Sequence, residues 1–96
     1  EQDMGNDEFI KTAKTIITEY FNSNVDGTDG ILLGLSDVFV VWSCKILQNN
    51  KALLSTDIPD GMYYEVTYNG DKKEFYLDAY KKWENILIRE SESRIA

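Results

Sequence analysis

The hydrophobic period of this chain changes at Val38, and that change constrains the fold more than any other feature of the sequence. Before it, apolar residues recur at spacings of three and four across residues 7–23, which predicts one amphipathic helix. After it, apolar and polar residues alternate between turn signals, which predicts antiparallel strands. Because neither element can bury its apolar face alone, the pattern predicts an α+β domain in which the helix packs on the sheet.

The predicted helix has a marked start. Asn6 is a favourable N-cap, and Asp7 and Glu8 place negative charge in the first turn, at the positive end of the helix dipole. Asn22 begins the stop signal, and the polar run from there to Asp37 is predicted to be a connector with a short apolar anchor. The apolar stripe consists of Phe9, Ile10, Ala13, Ile16, Ile17, Tyr20 and Phe21.

Four strands are predicted as a meander. The first runs from Val38 and is apolar on both faces as far as Val41, and simple alternation puts Val40, Trp42 and Cys44 on one face. Cys44 is therefore expected to be a buried structural thiol. Turns are predicted at Asn49-Asn50, Pro59-Asp60-Gly61 and Asn69-Gly70, with further strands over residues 51–56, 62–68 and 73–80.

The C-terminal segment fits two interpretations. Trp83, Ile86 and Leu87 have helical spacing, whereas residues 86–88 also suit a short fifth strand, which is the interpretation we favour. The sheet is accordingly predicted to have four to five strands, within a single domain covering residues 6–89. Residues 90–96 are expected to form a frayed tail.

Composition excludes several classes of function. The chain has 96 residues, no His and one Cys, which removes Ser-His-Asp and Cys-His nucleophiles, disulfides and thiolate zinc sites. We therefore expect no enzyme, no metal and no cofactor. The net charge of -7 argues against duplex nucleic acid as a partner. The sequence also offers neither a membrane span nor a signal peptide, which favours a cytoplasmic location.

The negative charge is unevenly distributed. Residues 1–37 hold 8 acids and 2 bases, a balance of -6, and residues 38–96 hold 9 acids and 8 bases, a balance of -1. The predicted sheet is thus close to neutral and could present a local positive patch to a small anion. The alternative is that its lysines only blunt the strand edges.

Aromatic residues on the sheet suggest a binding face. Rings next to Lys can stack on a base and neutralise a phosphate, although tyrosines also simply suit half-buried strands. The predicted stacking residues are Trp42, Tyr64, Tyr80 and Trp83, and the predicted phosphate partners are Lys45, Lys81 and Lys82. Glu65, Asp78 and Glu84 are the candidates for paired carboxylates if strand pairing brings two of them together.

Three stretches carry a resemblance to a known family: VWSCKILQNNKALLS at 41–55, DGMYYEVTYNG at 60–70 and YLDAYKK at 76–82. Over roughly residues 7–89 the chain resembles short proteins of unknown function encoded by phages and prophages of Gram-positive bacteria. Residues 1–5 lie outside that pattern and are expected to be extraneous or disordered. The resemblance implies a phage accessory protein in the host cytoplasm, a setting in which counter-defence is common, and it transfers no functional residues.

Two specific functions remain open at this point, beside a third in which the chain is a regulatory or packaging accessory protein with no role in defence. The first is a non-enzymatic counter-defence protein that sequesters a nucleotide-derived immune signal on the aromatic and lysine-bearing sheet face, which a homo-oligomer would complete. The second is an inhibitor of a host or defence protein that docks through its acidic helix or through an open strand edge.

Overall fold

One helix lies on one face of a four-stranded antiparallel sheet, as the sequence predicts. The structure is a computed structural model and describes residues 4–24 and 32–90. The sheet order is β1-β2-β3-β4, so each strand pairs with its neighbours along the chain. The elements are α1 (Asn6–Asn24), a 3-10 turn (Leu35–Asp37), β1 (Val38–Ile46), β2 (Asn49–Thr56), β3 (Met62–Asn69) and β4 (Glu74–Lys81).

Helix α1 supplies one half of the core. Phe9, Ala13 and Ile17 are fully buried, and their spacing of four residues places them in one row along the helix. The cap differs from the prediction, because the first carbonyl that accepts an i→i−4 hydrogen bond is that of Gly5, from the Phe9 amide (2.9 Å). Gly5 therefore occupies the N-cap position and the helix begins one residue earlier than expected.

The sheet supplies the other half of the core through the side chains that face α1. Leu54 and Val66 are fully buried at its centre. Leu33, which is also buried, is the apolar anchor that the sequence predicts in the connector. Asn22 holds that anchor in place, since its amide donates to the Leu33 carbonyl (3.0 Å) and accepts from the Leu33 amide (2.8 Å). Residues 25–31 of the predicted connector lie outside the described residues.

A β-bulge in β1 overturns the predicted alternation. Val40 pairs with Leu54 and Trp42 pairs with Leu53, so Val41 is an extra residue on the β1 side. The insertion moves Trp42 and Cys44 to the face opposite Val40. Cys44 is exposed, and the prediction of a buried thiol is wrong for this reason.

The first hairpin turn is also displaced from its predicted position. Leu47 and Gln48 form the turn, with Leu47 at a φ of 57°, while Asn49 and Asn50 belong to β2. Burial fixes this register, because it puts Ala52 and Leu54 under the helix together with Asn50.

The other two turns lie where they are predicted. Gly61 takes a φ of 73°, and the Met62 amide donates to Asp60 Oδ1 (3.1 Å). At the next hairpin, Asn69 Oδ1 accepts from the amides of Asp71 (3.0 Å) and Lys72 (3.2 Å), and the loop extends over residues 70–73. Asn69-Gly70 thus starts a four-residue loop and not a two-residue one.

The C-terminal segment follows neither of its two predicted conformations. Residues 82–89 form no helix and no strand, so the sheet ends at β4 and the expected fifth strand is absent from the described part of the chain. Of the predicted extraneous residues 1–5 and the predicted frayed tail 90–96, the structure describes only residues 4, 5 and 90. No helix among the described residues is long and apolar enough to cross a membrane.

Candidate ligand-binding face of the sheet

The sheet face that points away from α1 is uncovered by any described element, and we call it the open face. Alternation along each strand assigns its side chains, and the bulge at Val41 sets the assignment on β1. Its members are Phe39, Trp42, Cys44 and Ile46 on β1, Asn49, Lys51, Leu53 and Ser55 on β2, Tyr63, Glu65, Thr67 and Asn69 on β3, and Glu74, Tyr76, Asp78 and Tyr80 on β4.

A pocket of about 350 Å³ lies at one end of the open face, beside the Leu47-Gln48 turn and the 70–73 loop. Strand register builds its floor, because Cys44, Lys51, Thr67 and Tyr76 form one continuous row across the four strands. The pocket is lined by Cys44, Ile46, Asn49, Asn50, Lys51, Thr67, Tyr68, Asn69 and Tyr76.

The two loops next to the pocket are fastened to each other. The Gly70 amide donates to Asn49 Oδ1 (3.1 Å), which fixes the orientation of that amide side chain at the pocket rim. A Cβ at Gly70 would lie 2.6 Å from Gln48 Cβ and would also meet the Gln48 backbone. Glycine is therefore required here by the close approach of the two hairpins.

Charge at the pocket is sparse and paired. Lys51 is the one cationic side chain among the lining residues, and its Nζ lies 3.9 Å from Glu65 Oε2. A partly exposed pair at this long distance contributes little to stability, so Lys51 can exchange partners. Tyr76 Oη donates to Glu74 Oε1 (2.7 Å), and this hydrogen bond, with the carboxylate charge, raises the pKa of Tyr76 above 10.0.

A second tyrosine on the open face is coupled to the same acidic group as Lys51. The carboxylate of Glu65 is the main cause of a raised pKa at Tyr80, and Asp78 adds to it. Glu65 pairs with Asp78 in the strand register, so two of the three predicted carboxylates are brought onto neighbouring strands. Neither of them lines the pocket, and Glu84 lies beyond β4.

The predicted stacking residues do not form one site. Trp42 and Tyr80 both lie on the open face, but they belong to β1 and β4, three strand spacings or about 14 Å apart. Tyr64 lies on the opposite face, is only 2% exposed and packs edge-on against Tyr20 with ring centroids 6.1 Å apart. Burial raises the pKa of Tyr64. Because this ring cannot contact a ligand on the open face, the prediction that Tyr64 belongs to a binding face is wrong.

The predicted phosphate partners are also separated. Lys45 and Lys81 both point to the helix side of the sheet. They lie at opposite ends of it, because Lys45 is in the same cross-strand row as Phe75 and Lys81 follows Phe75 by six residues along β4. That separation is about 20 Å along the strands. Lys45 Nζ donates to the carbonyl of Leu47 (2.9 Å), and Lys82 and Trp83 follow the end of β4. None of the seven predicted site residues lines the pocket.

None of the residues that line the pocket is a predicted site residue, and the reason is identifiable. Asn49 and Asn69 were both assigned to turns, and Lys51, Thr67 and Tyr76 attract no attention until strands β2, β3 and β4 are placed in register. The signal that identifies these residues is the strand register, in which Thr67 pairs with Lys51 on one side and with Tyr76 on the other. Among the described residues, no group of three or more potential ligands could hold a metal ion.

A model of a protein family matches residues 10–90, and that family is described as a family of unknown function, DUF6275. The match covers most of the chain, so the chain belongs to this family. Searches of curated proteins and of solved structures give no match.

Proposed function

We propose that this member of a family of unknown function is a non-enzymatic binding protein that sequesters a small nucleotide-like ligand in the pocket of the open face. The observation that carries the proposal is the row of hydrogen-bonding side chains that strand register assembles there. Lys51, Thr67 and Tyr76 contribute from three strands, and Asn49 and Asn69 flank them at the loop end.

The pocket suits a flat ring compound that carries a few polar groups, because its lining is mainly apolar with several polar side chains. The Tyr76 ring offers a stacking surface. The Oδ1 atoms of Asn49 and Asn69 already accept hydrogen bonds from loop amides, so these two side chains offer their Nδ2 groups as donors to a base edge. Lys51 supplies one positive charge for a phosphate. A volume of about 350 Å³ lies at the small end of the range for ligand pockets, roughly 300–1,000 Å³. These properties favour a ligand the size of one nucleotide with little net charge.

The biological setting is part of the same proposal. The resemblance of residues 41–55, 60–70 and 76–82 to phage and prophage proteins supports a phage accessory protein that acts in the cytoplasm of a Gram-positive host. Sequestration of a nucleotide-derived immune signal is the counter-defence role that a binding pocket without catalytic groups would serve.

Calorimetric titration tests the pocket directly. The panel comprises mononucleotides, cyclic mononucleotides, cyclic dinucleotides and cyclic ADP-ribose isomers. Tyr76→Ser should weaken binding of the ligand by about 5- to 150-fold, since one stacked base contributes about 1–3 kcal/mol. Tyr80→Ser is the matched control, because Tyr80 lies on the same strand and face with similar exposure but outside the pocket.

Two results would overturn the pocket as the site. One is the absence of heat and of any thermal shift across the whole panel. The other is an equal loss of affinity in Tyr76→Ser and Tyr80→Ser, which would move the ligand away from the pocket.

The second candidate is an inhibitor that docks on a host or defence protein, and the observation that favours it is the position of β1. β1 forms one edge of the sheet, and α1 exposes Asp7, Glu8 and Glu19 on its outer side. Reversing these three charges to Lys should weaken capture of a specific partner from host lysate if the helix is the docking surface. Unchanged capture would restrict docking to the strand edge.

A further inference from the structure

The segment after β4 carries an unusual exposed apolar surface. We call residues 82–90 the arm; it is tied to the sheet at its start by a hydrogen bond from the Lys82 amide to the Gly61 carbonyl (2.8 Å). Beyond that bond, Trp83 is 94% exposed, and Ile86, Leu87 and Ile88 are each more than 60% exposed. Four large apolar side chains exposed within six residues indicate a surface that another molecule covers.

The open face presents a second exposed apolar surface, at the end away from the pocket. Phe39, Ser55, Tyr63 and Tyr80 pair successively across the four strands, and we call this the aromatic row. Phe39 and Tyr80, at its two ends, are about half exposed, and Trp42 is exposed on the same face. The arm leaves the sheet one residue after Tyr80.

We propose that two copies of this chain form a two-fold dimer in which the arm of each copy lies across the aromatic row of the other. Nine extended residues span about 30 Å, whereas the four strands are only about 14 Å wide between their outer backbones. The arm is therefore long enough to cross the whole sheet. The pocket lies at the other end of the strands and stays open in this arrangement.

The buried area is sufficient for a stable dimer. Exposed aromatic and aliphatic side chains on the arm and on the open face together offer on the order of 1,000 Å² of apolar surface per copy. Two copies would bury at most about 2,000 Å², and burial of half of that already reaches the roughly 1,000 Å² that a specific interface needs.

A second copy fits this surface better than an unrelated protein does, because both complementary surfaces lie on one chain. A two-fold exchange covers two arms and two aromatic rows at once. Charge is compatible, since Lys82 and Arg89 balance Glu84 and Glu90 along the arm. The sheet half of the chain carries a balance of only -1, so the excess negative charge lies mainly in residues 1–37.

Sedimentation equilibrium of the full chain tests the dimer. The wild type should have twice its monomer mass of 11.1 kDa at micromolar concentration. An arm variant, Trp83→Ser with Leu87→Ser, and a face variant, Phe39→Ser with Tyr80→Ser, should each dissociate at least tenfold more readily. Leu32→Ser with Leu35→Ser is the matched control, because it removes exposed leucines outside both surfaces and should stay dimeric.

Mixing the two variants identifies the exchange. The arm variant keeps an intact aromatic row and the face variant keeps an intact arm, so a mixture should form a heterodimer with one complete arm contact. In a Trp42→Phe background, Trp83 fluorescence should shift to the blue as protein concentration rises. Circular dichroism establishes that every variant is folded.

Three outcomes would overturn the proposal. A wild type that is monomeric at 100 μM excludes the dimer, and a concentration-independent blue-shifted Trp83 shows that the arm folds back on its own sheet. A dimer that the arm variant leaves intact uses another surface. The proposal does not rest on nucleotide binding, so either idea can fail without the other.

Discussion

Leu54 and Leu53 are neighbours on β2, yet Leu54 is completely buried beneath α1 while Leu53 points to the open face and is only partly covered. The same contrast holds between Val66 and Glu65 on β3. The covered face meets Phe9, Ala13 and Ile17 of the helix, and the described part of the chain has no second layer over the open face. The two faces therefore contribute differently to folding: the covered face supplies the core, and the open face leaves its side chains accessible.

The distribution of ring contacts sharpens this contrast. On the covered face, Tyr64 packs against Tyr20, and Tyr68 packs against Phe75 with ring centroids 4.7 Å apart. On the open face, Tyr76 and Tyr80 are instead coupled to the carboxylates of Glu74 and Glu65. Hydrophobic contact thus stabilises the covered tyrosines, whereas the open ones keep their rings accessible to another molecule.

The largest predicted effect is a difference in the free energy of unfolding between alanine variants of Leu54 and Leu53. Leu54→Ala should lower the free energy of unfolding by about 2–5 kcal/mol, because it removes a buried side chain and leaves a cavity under the helix. Leu53→Ala, its matched control, should cost less than about 1.5 kcal/mol. Urea denaturation measures both, and equal losses would contradict the division of roles between the faces.

Gly70 tests the pocket end of the open face. Gly70→Ala should destabilise the protein by about 1–3 kcal/mol, because the new Cβ would collide with the backbone of Gln48 and force the two hairpins apart. Gly34→Ala is the control, since its nearest heavy atom, Asp37 Oδ2, lies at an ordinary 3.5 Å. Thermal unfolding of the two variants gives the difference, and a neutral Gly70→Ala would mean that the hairpins do not pack as closely as the structure has them.

Local patterns were sufficient to predict the elements of this fold. The helical spacing of Phe9, Ala13 and Ile17 identified α1, and period-two alternation identified all four strands and their order. Turn chemistry located two loops, because Gly61 and Asn69 have conformational or hydrogen-bonding preferences that are visible in the residue type itself.

The candidate site could not be predicted in the same way, because it depends on register. The bulge falls where Val40 and Val41 are both apolar, so alternation gives no sign of the extra residue. The first turn uses Leu47 at positive φ, which competes poorly with Asn by local preference and is imposed by burial of β2. The bulge reverses the faces of the later β1 residues, which is why Lys45 lies on the covered face and not on the predicted binding surface. Tyr64 lies on β3, where no irregularity occurs, and its alternation with Val66 and Tyr68 already indicates the covered face.

A smaller effect, a gain in stability, is expected from replacing Asn50. Its side-chain amide is the one buried amide among the described residues of the covered face. Asn50 is 1% exposed, and neither Oδ1 nor Nδ2 has a hydrogen-bond partner in the structure. Asn50→Leu should therefore raise the free energy of unfolding by about 1 kcal/mol, since the desolvation cost of the amide disappears. Asn50→Asp is the opposing variant and should destabilise strongly near neutral pH, because it buries a charge.

The measurement for this pair is chemical denaturation at pH 7. Stabilisation by Leu would show that the covered face follows hydrophobic burial throughout. Destabilisation by Leu would show instead that Asn50 makes a compensating contact, and the simple contrast between the faces would then fail at this position.

The smallest predicted effect is on the pKa values of Tyr64 and Tyr80, which are raised for different reasons on the two faces. Burial is the main reason that the pKa of Tyr64 is raised above 10.0, whereas the charge of Glu65 is the main reason at Tyr80. Glu65→Gln should therefore lower the pKa of Tyr80 towards 10.0 and leave that of Tyr64 raised. Asp78→Asn, which removes the second cause at Tyr80, should have the same direction and a smaller size.

Titration of the tyrosine ring carbons by NMR resolves the two groups, and salt provides an independent control. Added salt at about 1 M shortens the screening length to roughly 3 Å, so it should lower the pKa of exposed Tyr80 and change that of Tyr64 much less. The raised pKa of each tyrosine changes the stability of the protein with pH in the same direction on both faces. A raised tyrosine pKa favours the folded state fully below pH 10.0, and this contribution is lost as pH rises from there through the folded pKa. Equal sensitivity of both tyrosines to Glu65→Gln and to salt would mean that charge, and not burial, governs the covered ring as well.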